Sequence, residues 1–332
     1  MARPGTWVEP QRDGLYIPEA DAWIDPATPK PRALVTHGHA DHARGGHGAV
    51  LATAETLAIM AARYGPQNGQ PVAYGEAVRL GDITARFVPA GHVLGSAQIV
   101  LEKGAERIVV SGDYKRRPDP TCAPFEPVPC DIFITEATFA LPVFRHPDTG
   151  AEIDRLLGAL HANPDRAVLL GAYALGKAQR LIVELRAHGY DEPILLHGAL
   201  ERLCALYADF GVALGPLQLA TGLKPADMRG RIVIAPPGAL NDRWSRRLPD
   251  PITAMASGWM SVRQRARQRN VELPLVISDH ADWDELTDTL IELAPSEVWV
   301  THGREDALVH WCDTRQIRAR ALDLVGYEDE DD

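Results

Sequence analysis

The residues best suited to chemistry stand together at His37-Gly38-His39-Ala40-Asp41-His42. Neutral imidazole nitrogens and an ionised carboxylate are the donors that Zn²⁺ or Mn²⁺ accepts, at about 2.0–2.2 Å for zinc. Four donors within six residues are too many for one catalytic ion that keeps a position open for water. The spacing H-x-H-x-D-H therefore predicts two divalent ions, with one His pair feeding the first and Asp41-His42 the second.

Such a crowded loop needs a rigid element to deliver it, and the apolar run Ala33-Leu34-Val35-Thr36 directly before it reads as a buried strand. The same pattern recurs along the chain. Apolar strand candidates lead to His92 (within Ala90-Gly91-His92), Asp113 (after Ser111-Gly112), Glu136, His280 and His302. Taken singly, a His or Asp beside glycine is ordinary turn chemistry. Beside the hexapeptide, His92 and Asp113 become ligands, and Asp113 is placed to bridge two ions. Asp25 ends another apolar run before Pro26. It reads equally as a turn residue and as a carboxylate supporting a metal-bound His from behind. Six of the twelve histidines, His37, His39, His42, His92, His280 and His302, sit at strand exits; the others are assigned to surface or packing.

Between these exits the spacing predicts helices over 54–64, stopped by Gly65-Pro66, and over 151–161, 177–188 and 283–294. From about residue 150 the texture changes to alternating helices and short strands, a second α/β unit. Strands are expected at Ala167-Val168-Leu169-Leu170, Ile194-Leu195-Leu196 and Ile232-Val233-Ile234.

Composition narrows the class. The chain is 45% hydrophobic and 24% charged with a net charge of −11, which argues against a uniformly basic coat for nucleic acid but not against a local basic groove. The run 328–332 reads as an acidic, solvated tail. No apolar run approaches the roughly 20 residues of a membrane span, and the first ten residues lack a signal peptide's apolar region. Cys122, Cys130, Cys204 and Cys312 form no C-x-x-C pair. Free thiols and a cytoplasmic location are expected, with no membrane partner.

The order Asp25, H-x-H-x-D-H, His92, Asp113 resembles the metallo-β-lactamase fold, an α/β protein built as an αββα sandwich. Glu136 in Thr-Glu-Ala-Thr-Phe, His280 in Ser-Asp-His-Ala-Asp and His302 in Thr-His-Gly resemble the β-CASP nucleases, in which an α/β cassette is inserted before His280. Gly171-Ala172-Tyr173-Ala174-Leu175-Gly176-Lys177-Ala178-Gln179 and Ala256-Ser257-Gly258-Trp259-Met260 resemble segments of that cassette. The compact chain looks most like bacterial ligase-associated DNA damage response exonucleases. Asp279 departs from the Ala or Gly that many relatives carry before the His, and a changed local contact is expected there.

The resemblance implies a first metallo-β-lactamase part at 1–150, a β-CASP-like insert at 151–272, a returning part at 273–327 and the tail at 328–332. It implies two divalent ions, Zn or Mn. His37, His39 and His92 would hold one, Asp41, His42 and His302 the other, with Asp113 bridging, and His280 would face the scissile phosphate, oriented by Glu136. Between two such ions a shared water ionises near neutral pH and attacks phosphorus. The implied function is exonucleolytic hydrolysis of single-stranded DNA ends in repair, with a DNA ligase and helicase as functional partners. The alternatives are an RNA-processing exo- or endoribonuclease and, further off, a small-molecule metallo-hydrolase. Lys115, Tyr173, Lys177, Ser257 and Arg263 are the expected nucleic-acid contacts. Arginine groups at 243–247 and 263–269 are further candidates for tracking a phosphate backbone.

Overall fold

In the computed structural model, residues 7–325 apart from Pro249 are described; the expected acidic tail at 328–332 lies outside them. The chain divides into two compact units, one running up to Arg145 and resuming at His280, the other His146–Asp279.

In the first unit two sheets lie face to face. One runs in the order Glu9–Gln11, Gly14–Ile17, Ala22–Ile24, Ala33–Leu34, Val50–Ala52, Gly69–Pro71. The other runs Arg318–Ala321, Glu297–Gly303, Ile132–Ala137, Glu106–Val110, Ala97–Lys103, Ile83–Pro89, Val78–Leu80. Alternation along the strands builds the layers, because successive side chains point to opposite faces. Ile99, Leu101, Ile108, Val110, Ile132, Ile134 and Trp299 meet Leu15, Ile17, Ile24, Leu34 and Leu51 in the core between the sheets. The intervening residues Val100, Val109, Phe133, Val298 and Val300 face the other way. They pack on Leu286, Leu290 and Leu293 of helix Trp283–Leu293 and Leu308 and Cys312 of helix Glu305–Thr314. Behind the first sheet, Ala33, Val35, Val50 and Ala52 pack on Met60 of helix Ala54–Tyr64. The layers are therefore helix, sheet, sheet, helix: the αββα sandwich. Burial on both faces explains why these strands read as nearly continuous apolar runs.

Local signals set the helix ends. The Thr53 side chain accepts a hydrogen bond from the Thr56 amide, and Gly65, at a φ of 83°, ends the helix Ala54–Tyr64, which spans the residues the sequence marked. The Asp282 and Glu285 side chains form a reciprocal capping box at the start of Trp283–Leu293.

The second unit holds a sheet ordered Leu217–Leu219, Ile194–Leu196, Ile232–Ala235, Val168–Gly171, Ile252–Ala256, Leu273–Leu275, with parallel pairing throughout. Its strands alternate with helices Thr149–Ala162, Lys177–Ala187 and Gly198–Asp209. Leu273–Leu275, on the sequence reading the start of the returning part, pairs with Ile252–Ala256 of this sheet. Among the described residues no helix is long and apolar enough to cross a membrane.

Candidate metal centre

The parallel strands Glu106–Val110, Ile132–Ala137 and Glu297–Gly303 are adjacent and in register, with Val110 beside Ile134 and Ile134 beside Trp299. Their C-terminal ends share one edge of the sheet, so Asp113, Glu136 and His302 arrive together despite their separation in sequence. The loop after Ala33–Leu34 joins the same edge, where the Ala97 amide donates to the Thr36 carbonyl at 2.8 Å. Close packing at these exits demands glycine. Gly112, at a φ of 56°, leaves no room for a Cβ, which would sit 2.8 Å from the Thr36 side chain.

Asp113 is the centre. Its Oδ2 lies 3.3 Å from His37 Nε2 and 3.7 Å from His92 Nε2, while Oδ1 lies 3.2 Å from His302 Nε2 and 3.4 Å from His42 Nε2. Each oxygen of one carboxylate thus faces its own pair of imidazoles. His39 Nδ1 completes the first set, 3.1 Å from His37 Nε2 and 2.9 Å from His92 Nε2. Within the described residues, donor atoms gather inside 4.8 Å in three groups: His37, His39, His92 and Asp113; His42, Asp113 and His302; and Asp113, Glu136 and His280.

This donor set fits divalent cations. Ring nitrogens about 2.1 Å from one tetrahedral ion would stand roughly 3.4 Å apart, close to the spacing of the first group. Electrostatics at His37 and His92 point the same way, while at His42 and His302 the carboxylates attract a positive charge, a proton in the absence of a metal. Burial, joined by the neighbouring histidines, pushes His92 well below the ordinary imidazole range, and burial with His42 lowers His37, leaving both neutral with lone pairs to donate. Burial opposes ionisation of Asp113, but His42, His37, His280 and His302 outweigh it and hold the carboxyl well below its usual range. Burial likewise opposes protonation of His42, yet Asp113 and Asp41 raise it well above the ordinary value. Asp113 raises His302 by the same kind of opposition.

Asp41 stands outside the three groups, with Oδ2 3.5 Å from His42 Nε2. Asp25 combines a turn conformation with a buried contact to a histidine of the cluster. It sits at a φ of 44° before Pro26, a conformation Asp tolerates better than most residues. Its buried carboxylate accepts from the Thr36 amide (2.8 Å) and hydroxyl (2.6 Å) and lies 2.8 Å from His42 Nδ1. Such a partner fixes the ring's tautomer and aims Nε2 at the cluster. Asp25→Asn, which keeps the shape and the backbone preference, is expected to lower metal affinity by about 10–100-fold; competition with a chelator would measure this, and an unchanged affinity would remove the role.

His280 Nδ1 lies 3.0 Å from Glu136 Oε2. Glu136 is held in turn by the Thr138 hydroxyl (2.6 Å) and the Tyr114 amide (2.8 Å). Sequence reasoning passed over these supports. It also passed over a legible signal: Val-Thr-His-Gly occurs at both 35–38 and 300–303. In both copies the threonine hydroxyl lies 3.0 Å from Nδ1 of the following His.

The expected nucleic-acid contacts lie in different surroundings. Lys115 is 1% exposed, its ammonium 2.7 Å from Asp119 Oδ2. Lys177 is 4% exposed, paired with Asp279 at 3.0 Å and bonded to the Ile277 carbonyl. Ser257 is buried and accepts from the Trp259 amide. A phosphate would have to displace internal partners to reach either lysine, at a cost typical of breaking a buried ion pair. Tyr173 is half-buried and Arg263 is exposed. Besides Lys177, Asp279 pairs with buried Arg180 at 3.1 Å.

No family model matches the chain. It is 31% identical over 314 residues, 93% of its length, to a protein of Opitutus terrae named "Probable DNA ligase", of which it covers 30%. It is 28% identical to a ribonuclease of Thermus thermophilus, across 48% of this chain and 44% of that one. It is 26% identical to the cleavage and polyadenylation specificity factor subunit 3 of Dictyostelium discoideum, across 70% of this chain and 37% of that one. The chain thus spans less than half the length of each of these curated relatives. A solved structure, a protein of unknown function from Enterococcus faecalis, superposes with a TM-score of 0.55 at 11% identity, over 81% of this chain and 74% of that one. The fold and the clustered donors define the class as a metallo-β-lactamase αββα sandwich carrying a β-CASP-type α/β insert. Its relatives support the β-CASP nuclease family as the one to which this chain is related.

Proposed function

We propose that the chain is a metal-dependent phosphodiesterase that trims single-stranded DNA ends. The observation that carries this reading is the Asp113 carboxylate, whose two oxygens face two separate histidine sets in a buried site. His37, His39, His92 and Asp113 would hold one divalent ion, zinc or manganese; His42, His302, Asp113 and, from the rim, Asp41 would hold a second. Ions bound there supply hydroxide at neutral pH and stabilise the charge that develops on the phosphoryl oxygens. The protein's own groups do the rest. With Nδ1 held by Glu136, His280 would deliver a proton to the leaving oxygen through Nε2.

Support for a polynucleotide comes from the second unit. Between Arg243 and Arg269 there are seven arginines and one carboxylate, Asp250. Arg243, Arg246, Arg263 and Arg267 are exposed. The segments share a core through Trp244, Leu248, Met260 and Ala266, and Asn241 reaches the Arg269 carbonyl at 3.3 Å. Such a surface suits a phosphate backbone. The double variant Arg263→Ala/Arg267→Ala should weaken single-strand binding and flatten its logarithmic salt dependence by roughly 0.7 per arginine. Fluorescence anisotropy across a salt series would show it, and an unchanged slope would place the backbone elsewhere.

DNA is favoured by the breadth of the match to the probable DNA ligase, which also supports action alongside a ligase. RNA is the second reading, favoured by the ribonuclease relative. A digest of matched, end-labelled DNA and RNA strands with Mn²⁺ or Zn²⁺, run beside Asp41→Ala, tests both. Exclusive RNA cleavage would overturn the DNA assignment, and equal activity of the Asp41 variant would overturn its place at the second ion.

A further inference from the structure

We infer that Glu285 is a positioning residue, stapling the loop that follows Asp113 to the loop that follows His280; the inference rests on the nuclease reading above. Glu285 is the third residue of helix Trp283–Leu293 and closes its capping box, Oε2 accepting from the Asp282 amide at 3.2 Å. A capping box needs nothing more. Here Oε1 also accepts from the amides of Arg116 (3.1 Å) and Arg117 (2.7 Å), far earlier in the chain. Arg117 returns the connection by bonding the Asp282 carboxylate, and Arg116 Nη1 reaches the Thr289 hydroxyl at 3.3 Å.

The two loops so joined are the ones whose separation matters. Arg116 follows Asp113 by three residues, and Asp282 follows His280 by two. Between them the Tyr114 amide donates to Glu136 and the Tyr114 carbonyl accepts from the Ala281 amide at 2.6 Å. Residues 114–117 are thus gripped by Glu136 on one side and by 281–285 on the other. The Glu285 side chain is 11% exposed, so water is a poor substitute for it. A glutamate supplies both the reach and two acceptor oxygens. A misplacement of about 1 Å in a reacting group can lower a rate on the order of 10²-fold, which is the consequence expected when the staple opens.

The test uses the full, metal-loaded chain with two variants. Glu285→Asp keeps the charge at the helix start but is one methylene too short to reach Arg116 and Arg117. Glu285→Gln keeps the reach but turns one acceptor into a donor. In both, kcat on an end-labelled oligonucleotide should fall at least tenfold, with KM within twofold and bound metal unchanged. Leu293→Ala, which loosens the same helix away from both loops, should retain kcat. A folded Glu285 variant with kcat within twofold of the parent, or with KM raised in place of a lower kcat, would overturn the inference.

Two readouts need no activity. Amide exchange at Arg116, Arg117 and Asp282 of the unaltered protein should be slow at all three, and fast exchange in either loop overturns the staple. In a crystal structure of Glu285→Asp, His280 Nδ1 should leave its 3.0 Å distance from Glu136 Oε2; an unmoved ring also overturns it. A parent chain that cleaves neither DNA nor RNA would remove the nuclease reading, while these two measurements still decide the staple.

Discussion

Asp113→Ala should remove activity almost entirely, by about 10³-fold, and should lower bound metal at the same time. Among the described residues the shared carboxylate is the one group that belongs to both histidine sets, at 3.2–3.4 Å for His302 and His42 and 3.3–3.7 Å for His37 and His92. Without it, the first set loses its carboxylate and the second keeps only Asp41 at its rim, so both sets hold a divalent cation less well. The loss of several kcal/mol of metal-derived stabilisation converts to roughly that factor in rate. Elemental analysis of the dialysed protein should show less than half the parent's metal. A variant that keeps both its metal and its rate would refute the bridging geometry.

His280→Ala should behave differently, and the contrast is informative. The ring belongs to the group with Glu136 and touches Asp113 only at 3.9 Å, so metal content should remain that of the parent. Loss of a positioned proton donor should lower kcat by about 10²–10⁴-fold. The deficit should shrink on an activated aryl phosphodiester, whose leaving group needs no proton. A deficit of equal size on both substrates would mean that His280 binds the phosphate instead of protonating the leaving oxygen. Loss of metal would mean that it is a ligand.

Much of the scaffold was legible because local signals carried it. Helix Ala54–Tyr64 is bracketed by a Thr cap and a Gly at positive φ, and Trp283–Leu293 opens on the Asp282/Glu285 capping box, all visible in the sequence. The expected segments 151–161 and 177–188 correspond to Thr149–Ala162 and Lys177–Ala187. Helices Gly198–Asp209 and Glu305–Thr314 and strand Arg318–Ala321 passed unmarked. The first is capped by His197, an uncommon cap, and begins at glycine, which usually ends helices. The second begins after Arg304 with no side-chain cap. The strand alternates Arg with Ala, and it holds its place by pairing with Glu297–Gly303.

The lysines show where composition misleads. A cation in a loop reads as solvated or as phosphate-binding, since burying it alone is prohibitive. Lys115 and Lys177 are nevertheless internal, because Asp119 and Asp279 meet them there. The Asp119 partner is four residues away; the Asp279 partner is about a hundred residues away, beyond any local signal.

The sequence by itself determined the chemistry of the donors: imidazoles and carboxylates at strand exits, in numbers and spacing that suit divalent metal. It did so because ligand type and the apolar runs that deliver it are both local properties. Only the tertiary structure decided which oxygen of Asp113 faces which histidines, and that the Thr138 hydroxyl and the Tyr114 amide hold Glu136 against His280. Those relations arise where parallel strands in register end on one sheet edge, gathering donors from position 37 to position 302 into groups within 4.8 Å. Pairing register across the sheet fixes that meeting, and no segment of the chain carries it alone.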